Sequence, residues 1–173
     1  MTRCFVVMGV TGSGKSTLGA ALAQVLGWRF VEGDALHPPA NVAKMSAGQP
    51  LDDADRAPFL ANVATAIAQP GNTVVSCSAL KRAYRDRLRL ADPELVFVLP
   101  VLSRAQLLQR LALRRDHFMP ASLLDSQLDT LQMPGPDERC VLTAGDEPLD
   151  QQIAAVLTGA ARWNKSRTVP ADR

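Results

Sequence analysis

The stretch Gly9-Val10-Thr11-Gly12-Ser13-Gly14-Lys15-Ser16 has the spacing G-x-x-x-x-G-K-[ST]. Its residue types suit one task, the holding of phosphate oxygens. Glycines let backbone N–H groups turn inward around an anion. A helix that starts there adds free N–H groups and a partial positive charge. Lys15 has the reach for the β- and γ-phosphates of a nucleotide such as ATP, and the Ser16 hydroxyl is an oxygen ligand for Mg²⁺. Gly9, Thr11, Gly12, Ser13, Gly14, Lys15, Ser16 and Thr17 are therefore the candidate nucleotide-binding residues.

The flanking elements fit that task. Cys4 to Met8 is a short apolar run that reads as a buried strand. Leu18, Leu22, Val25 and Leu26 recur at helical spacing, and Gly27 stands where a C-cap glycine belongs. A second strand spans Arg29 to Glu32, followed by a loop from Gly33 to Asn41 that is rich in Gly, Pro and Asn. Loops beyond the carboxyl ends of parallel strands line the ligand crevice. Glu32, Asp34 and His37 are thus expected beside the phosphate loop. One carboxylate there could hold Mg²⁺ through water, with Ser16 as the direct ligand, and one could accept a proton from a substrate hydroxyl. The alternative for Asp34 is a turn or cap residue.

Further on, Leu60, Val63, Ala64 and Ile67 mark a helix that Pro70 and Gly71 end. Arg56 begins it beside Asp52, Asp53 and Asp55, either as a surface ion pair or as a fork for a substrate carboxylate. Thr73 to Cys77 reads as a third strand. Lys81 and Arg85 follow four apart on one helical face, with Tyr84 adjacent. That set suits a polyhydroxylated anion; the alternative is a solvated basic face. No Asp ends the third strand, so Mg²⁺ help is sought from Glu32 and Asp34.

Leu95 to Leu99 gives a fourth strand, and Ser103-x-x-Gln106 a capping box for the helix of Leu107, Leu108 and Leu111. Arg110, Arg114, Arg115 and His117 suit a lid, at about residues 110–120, that closes over a triphosphate. A solvent-facing basic patch is the alternative. Leu124, Leu128 and Leu131 define another helix, and Val141 and Leu142 a fifth strand. Leu149, Ile153, Val156 and Leu157 form the closing helix, and a disordered tail is expected over about residues 160–173. Strand and helix alternate throughout. The expected fold is a three-layer, doubly wound, five-stranded parallel α/β sheet in a single domain of residues 1–173.

Composition adds bounds. Hydrophobic residues are 47% of the 173, charged residues 21%, and the net charge is only +2, so neither a nucleic-acid nor a membrane partner is expected. Cys4, Cys77 and Cys140 are odd in number and lack metal spacing, which argues against a disulfide framework or a zinc site. The first residues show no charged n-region ahead of an apolar h-region, and no apolar run approaches 18 residues, so a cytoplasmic location is expected.

The chain resembles the bacterial-type gluconokinases, small P-loop kinases. The resemblance is carried by Gly33-Asp34-x-Leu36-His37-Pro38-x-x-Asn41-x-x-Lys44-Met45-x-x-Gly48-x-Pro50-Leu51 and Asp53-x-Asp55-Arg56-x-Pro58. It continues through Cys77-Ser78-Ala79-Leu80-Lys81-x-x-Tyr84-Arg85-Asp86, His117-Phe118 and Ser126-Gln127-x-x-Thr130-Leu131. It implies ATP- and Mg²⁺-dependent phosphorylation of D-gluconate at its 6-hydroxyl by a homodimer. It also implies that Lys15, Asp34 and Arg114 serve catalysis, with Asp34 as base and Arg114 in the lid. Arg110 would lie on the adenine side, and His37, Arg56, Lys81, Tyr84, Arg85 and His117 on the substrate side. The chain departs from the family pattern at Asp116 (usually Gly), at Gln132 (usually Glu), and at Thr143-Ala144-Gly145-Asp146. Two other functions remain open from the residues alone: transfer to a different acceptor, such as shikimate or another sugar acid, and a nucleotide-sensing module without turnover.

Overall fold

The strand that leads into the phosphate loop is the middle of the sheet. The structure, a computed structural model, describes residues 2–113 and 121–165. Strand β1 (Cys4–Val7) lies between β3 (Thr73–Ser76) and β4 (Val96–Val101), with β2 (Arg29–Glu32) and β5 (Cys140–Ala144) at the edges. All four pairings are parallel, in the order β2-β3-β1-β4-β5. Every residue of β1 is buried, which is why its sequence is continuously apolar rather than alternating.

Helices cover both faces of the sheet. Cys4, Val6 and Met8 point to one layer, where Phe59, Leu60, Val63 and Ile67 of α3 (Asp53–Ala68) and Leu88 of α4 (Arg82–Arg89) pack. Phe5 and Val7 point to the other, against Leu18 and Leu22 of α1 (Lys15–Leu26) and Ile153 and Val156 of α7 (Leu149–Lys165). A smaller cluster of Val10, Leu80, Leu107, Leu111 and Leu124 joins the phosphate loop to α5 (Arg104–Ala112) and α6 (Ala121–Thr130). The expected three-layer parallel fold is thus found. The β3-to-β4 connection passes over β1, and this reversal opens a crevice at the carboxyl end of β1, where such sheets bind ligands.

Local signals held at two helix ends. Gly27 adopts φ 66° and its N–H turns back to the carbonyls of Ala23 and Gln24. Ser103 and Gln106 form both halves of their capping box. The loop expected from Gly33 to Asn41 is instead a 3-10 turn (Gly33–Leu36) followed by α2 (Pro39–Ser46). Pro39 sits in the first turn of α2, where its missing N–H costs no intrahelical bond, so a residue read as a loop signal starts a helix. The start of α3 is a capping box between Asp52 and Asp55. Residues 160–165, expected in a disordered tail, are helical. Helix α7 runs through Lys165, because Ala160 and Trp163 still pack on the sheet. Residues 166–173 lie outside the described residues.

The shared helical face of Lys81 and Arg85 is corrected by the structure. Lys81 is the residue before α4, whereas Arg85 has a fully buried side chain. The Arg85 Nε and Nη2 donate to the two carboxylate oxygens of Glu138, at 2.6 and 2.9 Å. Its Nη1 donates to the carbonyls of Ala79 and Leu80. The guanidinium fixes the loop before α4 and has no exposed surface to offer the substrate that Arg85 was expected to hold. Burial by itself would push the Glu138 carboxyl up. The Arg85 and Gly135 donors, with the Arg85 charge, outweigh that and hold it below its ordinary value of 4.5.

Removing one member of this pair strands a buried charge, so Arg85→Met should cost about 3–5 kcal/mol in urea unfolding at pH 7. Because the folded-state value of Glu138 is depressed, its contribution is present above the unfolded value and lost as pH falls through the folded one. In the wild type the unfolding midpoint should therefore fall below pH 4.5, and Glu138→Gln should flatten that dependence.

Candidate active site

The phosphate loop is shaped by three glycines in left-handed conformations: Gly9 (φ 130°), Gly12 (φ 78°) and Gly14 (φ 90°). Side chains rarely tolerate such angles, so the motif's glycines are a backbone requirement. Gly14 precedes α1 and supplies no side-chain cap, so the first helical N–H groups face the crevice without one. The Val10 carbonyl accepts from Ser13 Oγ at 2.8 Å and from Lys15 Nζ at 3.0 Å. The Thr11 N–H donates to Gln127 Oε1 at 2.7 Å, which turns this amide toward α6. Arg110 spans from the Ser13 carbonyl to the Gly145 carbonyl, at 3.4 and 2.5 Å. It thereby ties the phosphate loop to the exit of β5. Ser16 and Thr17 are exposed in the first turn of α1.

The acceptor side begins at Gly33. A Cβ built there would lie 1.8 Å from the Ser76 carbonyl, so only glycine fits. The Gly33 N–H donates to Ser76 Oγ at 3.0 Å, and that hydroxyl donates to the Glu32 carboxylate. The exits of β2 and β3 are thus clamped together, and Glu32 is held by Ser76. The clamp sets the 3-10 turn on which Asp34 stands exposed. His37 follows, stacked on Phe59 with centroids 3.8 Å apart and an interplanar angle of 5°. The Asn41 amide nitrogen donates to the Asp55 carbonyl at 2.8 Å, which fixes its orientation. It also lies 3.4 Å from His37 Nδ1, so Nδ1 is the acceptor and the ring proton sits on Nε2. Burial pulls the His37 pKa down, with Asp34 opposing and Arg56 assisting, so the imidazole is neutral at pH 7.

Opposite stands a charged group built on Tyr84. The Arg56 guanidinium and the Lys81 ammonium lie 5.9 and 5.5 Å from its ring centroid. Asp53 accepts from Lys81 Nζ at 2.7 and 3.0 Å and from the Tyr84 hydroxyl. Donation from Lys81 and Tyr84 lowers the Asp53 pKa, and Asp53 in turn raises that of Lys81. Cys77 is buried just past the end of β3. Its thiol is pushed up to about 12 by burial, and the charges of Lys15, Asp34 and Arg56 all reach it. Lys15, Asp34 and Arg56 are thus within electrostatic reach of the end of β3, and Tyr84 gathers Arg56 with Lys81. Arg114 and His117 lie outside the described residues.

The AAA domain family profile matches residues 5–134. The chain is 53% identical over 159 residues to the gluconokinase of Gluconobacter oxydans (strain 621H), covering 90% of this chain and 89% of that one. It is 42% identical over 158 residues to the thermoresistant gluconokinase of Escherichia coli (strain K12), covering 88% and 90%. The crystal structure of a gluconokinase from Sinorhizobium meliloti 1021 superposes with a TM-score of 0.88 at 47% identity, covering 96% of this chain and 97% of that one.

The chain belongs to the gluconokinase family. Membership gives the converging charges a setting. A gluconokinase-family kinase must bring a nucleotide phosphate and an acceptor hydroxyl together. Sequence reasoning did not single out Asp53 as a partner of Lys81 and Tyr84. Asp53 figured there only as one of the acids beside Arg56 and as a position of the family pattern. Glu138 and Gln127 carried no signal of their contacts, which join residues 53 and 116 positions apart.

Gly33→Ala tests the clamp. The added methyl must displace the Ser76 carbonyl or swing the turn that carries Asp34. A misplacement near 1 Å costs on the order of 100-fold in turnover. Steady-state kinetics should show that loss in kcat, while a cysteine-accessibility assay shows Cys77 still protected.

Proposed function

We propose that this chain transfers the γ-phosphoryl group of ATP to the 6-hydroxyl of D-gluconate, giving 6-phospho-D-gluconate and ADP. The observation that supports the acceptor assignment is the gathering of Arg56, Lys81 and Asp53 around Tyr84. Two cations suit a carboxylate. Asp53, the Tyr84 hydroxyl and the His37 Nε2–H suit a row of hydroxyls, which both donate and accept. The similarity to gluconokinases supplies the acid itself.

Lys15 and the N–H groups at the start of α1 would hold the β- and γ-phosphates. The oxygen donors present fit Mg²⁺: the exposed Ser16 hydroxyl, with Glu32 and Asp34 at the exit of β2. Among the described residues no group of three or more His, Cys, Asp or Glu could hold a metal, so phosphate oxygens and water would complete the shell. When bound, Mg²⁺ would neutralise charge on the phosphates. Asp34 would accept a hydrogen bond from the attacking hydroxyl, aim it in line, and take its proton late in transfer. Arg114 would add positive charge at the transferring group, and Arg110 would flank the adenine. The family resemblance further supports a homodimer working in the cytoplasm. Among the described residues no helix is long and apolar enough to cross a membrane.

Coupled ADP release with ATP and Mg²⁺ tests the reading, comparing D-gluconate, shikimate, gluconate isomers and no acceptor. A saturable, gluconate-dependent signal is expected, and a larger signal with another acid would replace the substrate. Asp34→Asn should lower kcat by about 100-fold or more with ATP affinity retained. Near-normal turnover would dismiss Asp34 as the base. Arg56→Ala should raise KM for gluconate more than KM for ATP, because its guanidinium stands on the acceptor side.

A further inference from the structure

The end of α6 touches both halves of the site. Gln127, on its last turn, accepts from the Thr11 N–H of the phosphate loop at 2.7 Å. Gln132, just beyond the helix, donates its N–H to the Leu80 carbonyl at 2.9 Å. Its Oε1 accepts from the Arg82 N–H at 2.7 Å. Leu80 and Arg82 flank Lys81. Arg82 opens α4, and Lys81 offers that helix no side-chain cap. An ammonium has no acceptor to offer, so Gln132 supplies the N-terminal acceptor, while Lys81 donates to Asp53. Between the two glutamines the chain is closed by Leu131 N–H, which donates to the carbonyls of Gln127 and Leu128 at 3.0 and 3.2 Å. Beneath them Val10, Leu80, Leu107 and Leu124 share one apolar cluster.

We propose that Gln127 and Gln132 are positioning residues, which from one helix end hold the nucleotide loop and the Lys81 loop at a fixed separation. The inference rests on the gluconate kinase reading and adds two residues to it. Neither side chain is placed at the reacting atoms. Each fixes a backbone amide, Thr11 on the nucleotide side and Arg82 on the acceptor side. Phosphoryl transfer through a loose transition state depends mainly on placement, so a slip between the two loops is felt in the kinetics. Gln132 needs only an acceptor oxygen for its contact with Arg82. Glutamate provides one, and its charge suits a helix N-terminus.

Methionine keeps the length of glutamine and removes the acceptor. Gln132→Met should raise KM for gluconate about five- to tenfold, the scale of one lost hydrogen bond, and leave KM for ATP within about twofold. Gln132→Glu should restore the wild-type value. Gln127→Met should show the opposite split, with weaker ATP and unchanged gluconate KM. A melting temperature for each variant separates loosened positioning from lost folding. Equal rises in both KM values, unchanged KM values, or a failure of Gln132→Glu to rescue would overturn the proposal. A wild type silent with gluconate would count against the functional reading alone. In that case ADP titration of Gln127→Met decides: weaker binding than wild type is expected, and equal binding overturns the inference.

Discussion

A guanidinium and a carboxylate with no exposed surface, Arg85 and Glu138, hold the acceptor side of this protein together. The pair joins α4 to the segment before β5 and takes the carbonyls of Ala79 and Leu80 with it. Ala79 adopts φ 41°, a conformation that costs a residue with a Cβ about 1 kcal/mol or more. The buried Arg85 contact to its carbonyl, and packing that leaves Ala79 1% exposed, keep it there. The loop that results presents Lys81 to the crevice. A buried ion pair is seldom a source of net stability, since desolvation offsets attraction. Here its use is geometric: several separate strands of chain can satisfy one planar fork in only one arrangement.

The nucleotide side has a different logic. Its shape comes from backbone angles at Gly9, Gly12 and Gly14, and its charge from Lys15 and the start of α1. The acceptor side is built from side chains, with Arg56 and Lys81 set against Tyr84 and moderated by Asp53. An acidic residue between two cations keeps the pocket from being a plain anion trap. A ligand with both a carboxylate and hydroxyls matches that mixture better than a phosphate alone. The β2 and β3 exits are pinned by the Gly33–Ser76–Glu32 contacts, so Asp34 stands on a rigid base between the two sides.

Much of this was legible from local sequence. The phosphate loop and the caps at Gly27 and Ser103 depend on a few adjacent residues, and the order of strands followed from alternation of apolar runs. Lys15, Asp34 and Lys81 follow closely on strand exits, which a parallel sheet brings to one edge, whereas Arg56 and Tyr84 stand on α3 and α4. Arg85 was misplaced because helical spacing says which residues share a face and nothing about what covers that face. The partner, Glu138, is 53 residues away. Pro38 and Pro39 read as loop because proline breaks helices inside but is tolerated in the first turn.

The sequence by itself determined what short-range chemistry fixes: a glycine-shaped anion loop, a parallel alternating fold and a set of residues suited to phosphoryl transfer. Only the tertiary structure decided which charges stay available. It consumed Arg85 in a buried pair, tied Glu32 to Ser76, set Asp53 on Lys81 and Tyr84, and gave α6 a hold on both loops. The physical reason is that a backbone motif specifies its own geometry. A charged side chain is specified by whichever partner the folded chain brings within hydrogen-bond reach, and those partners are distant in sequence.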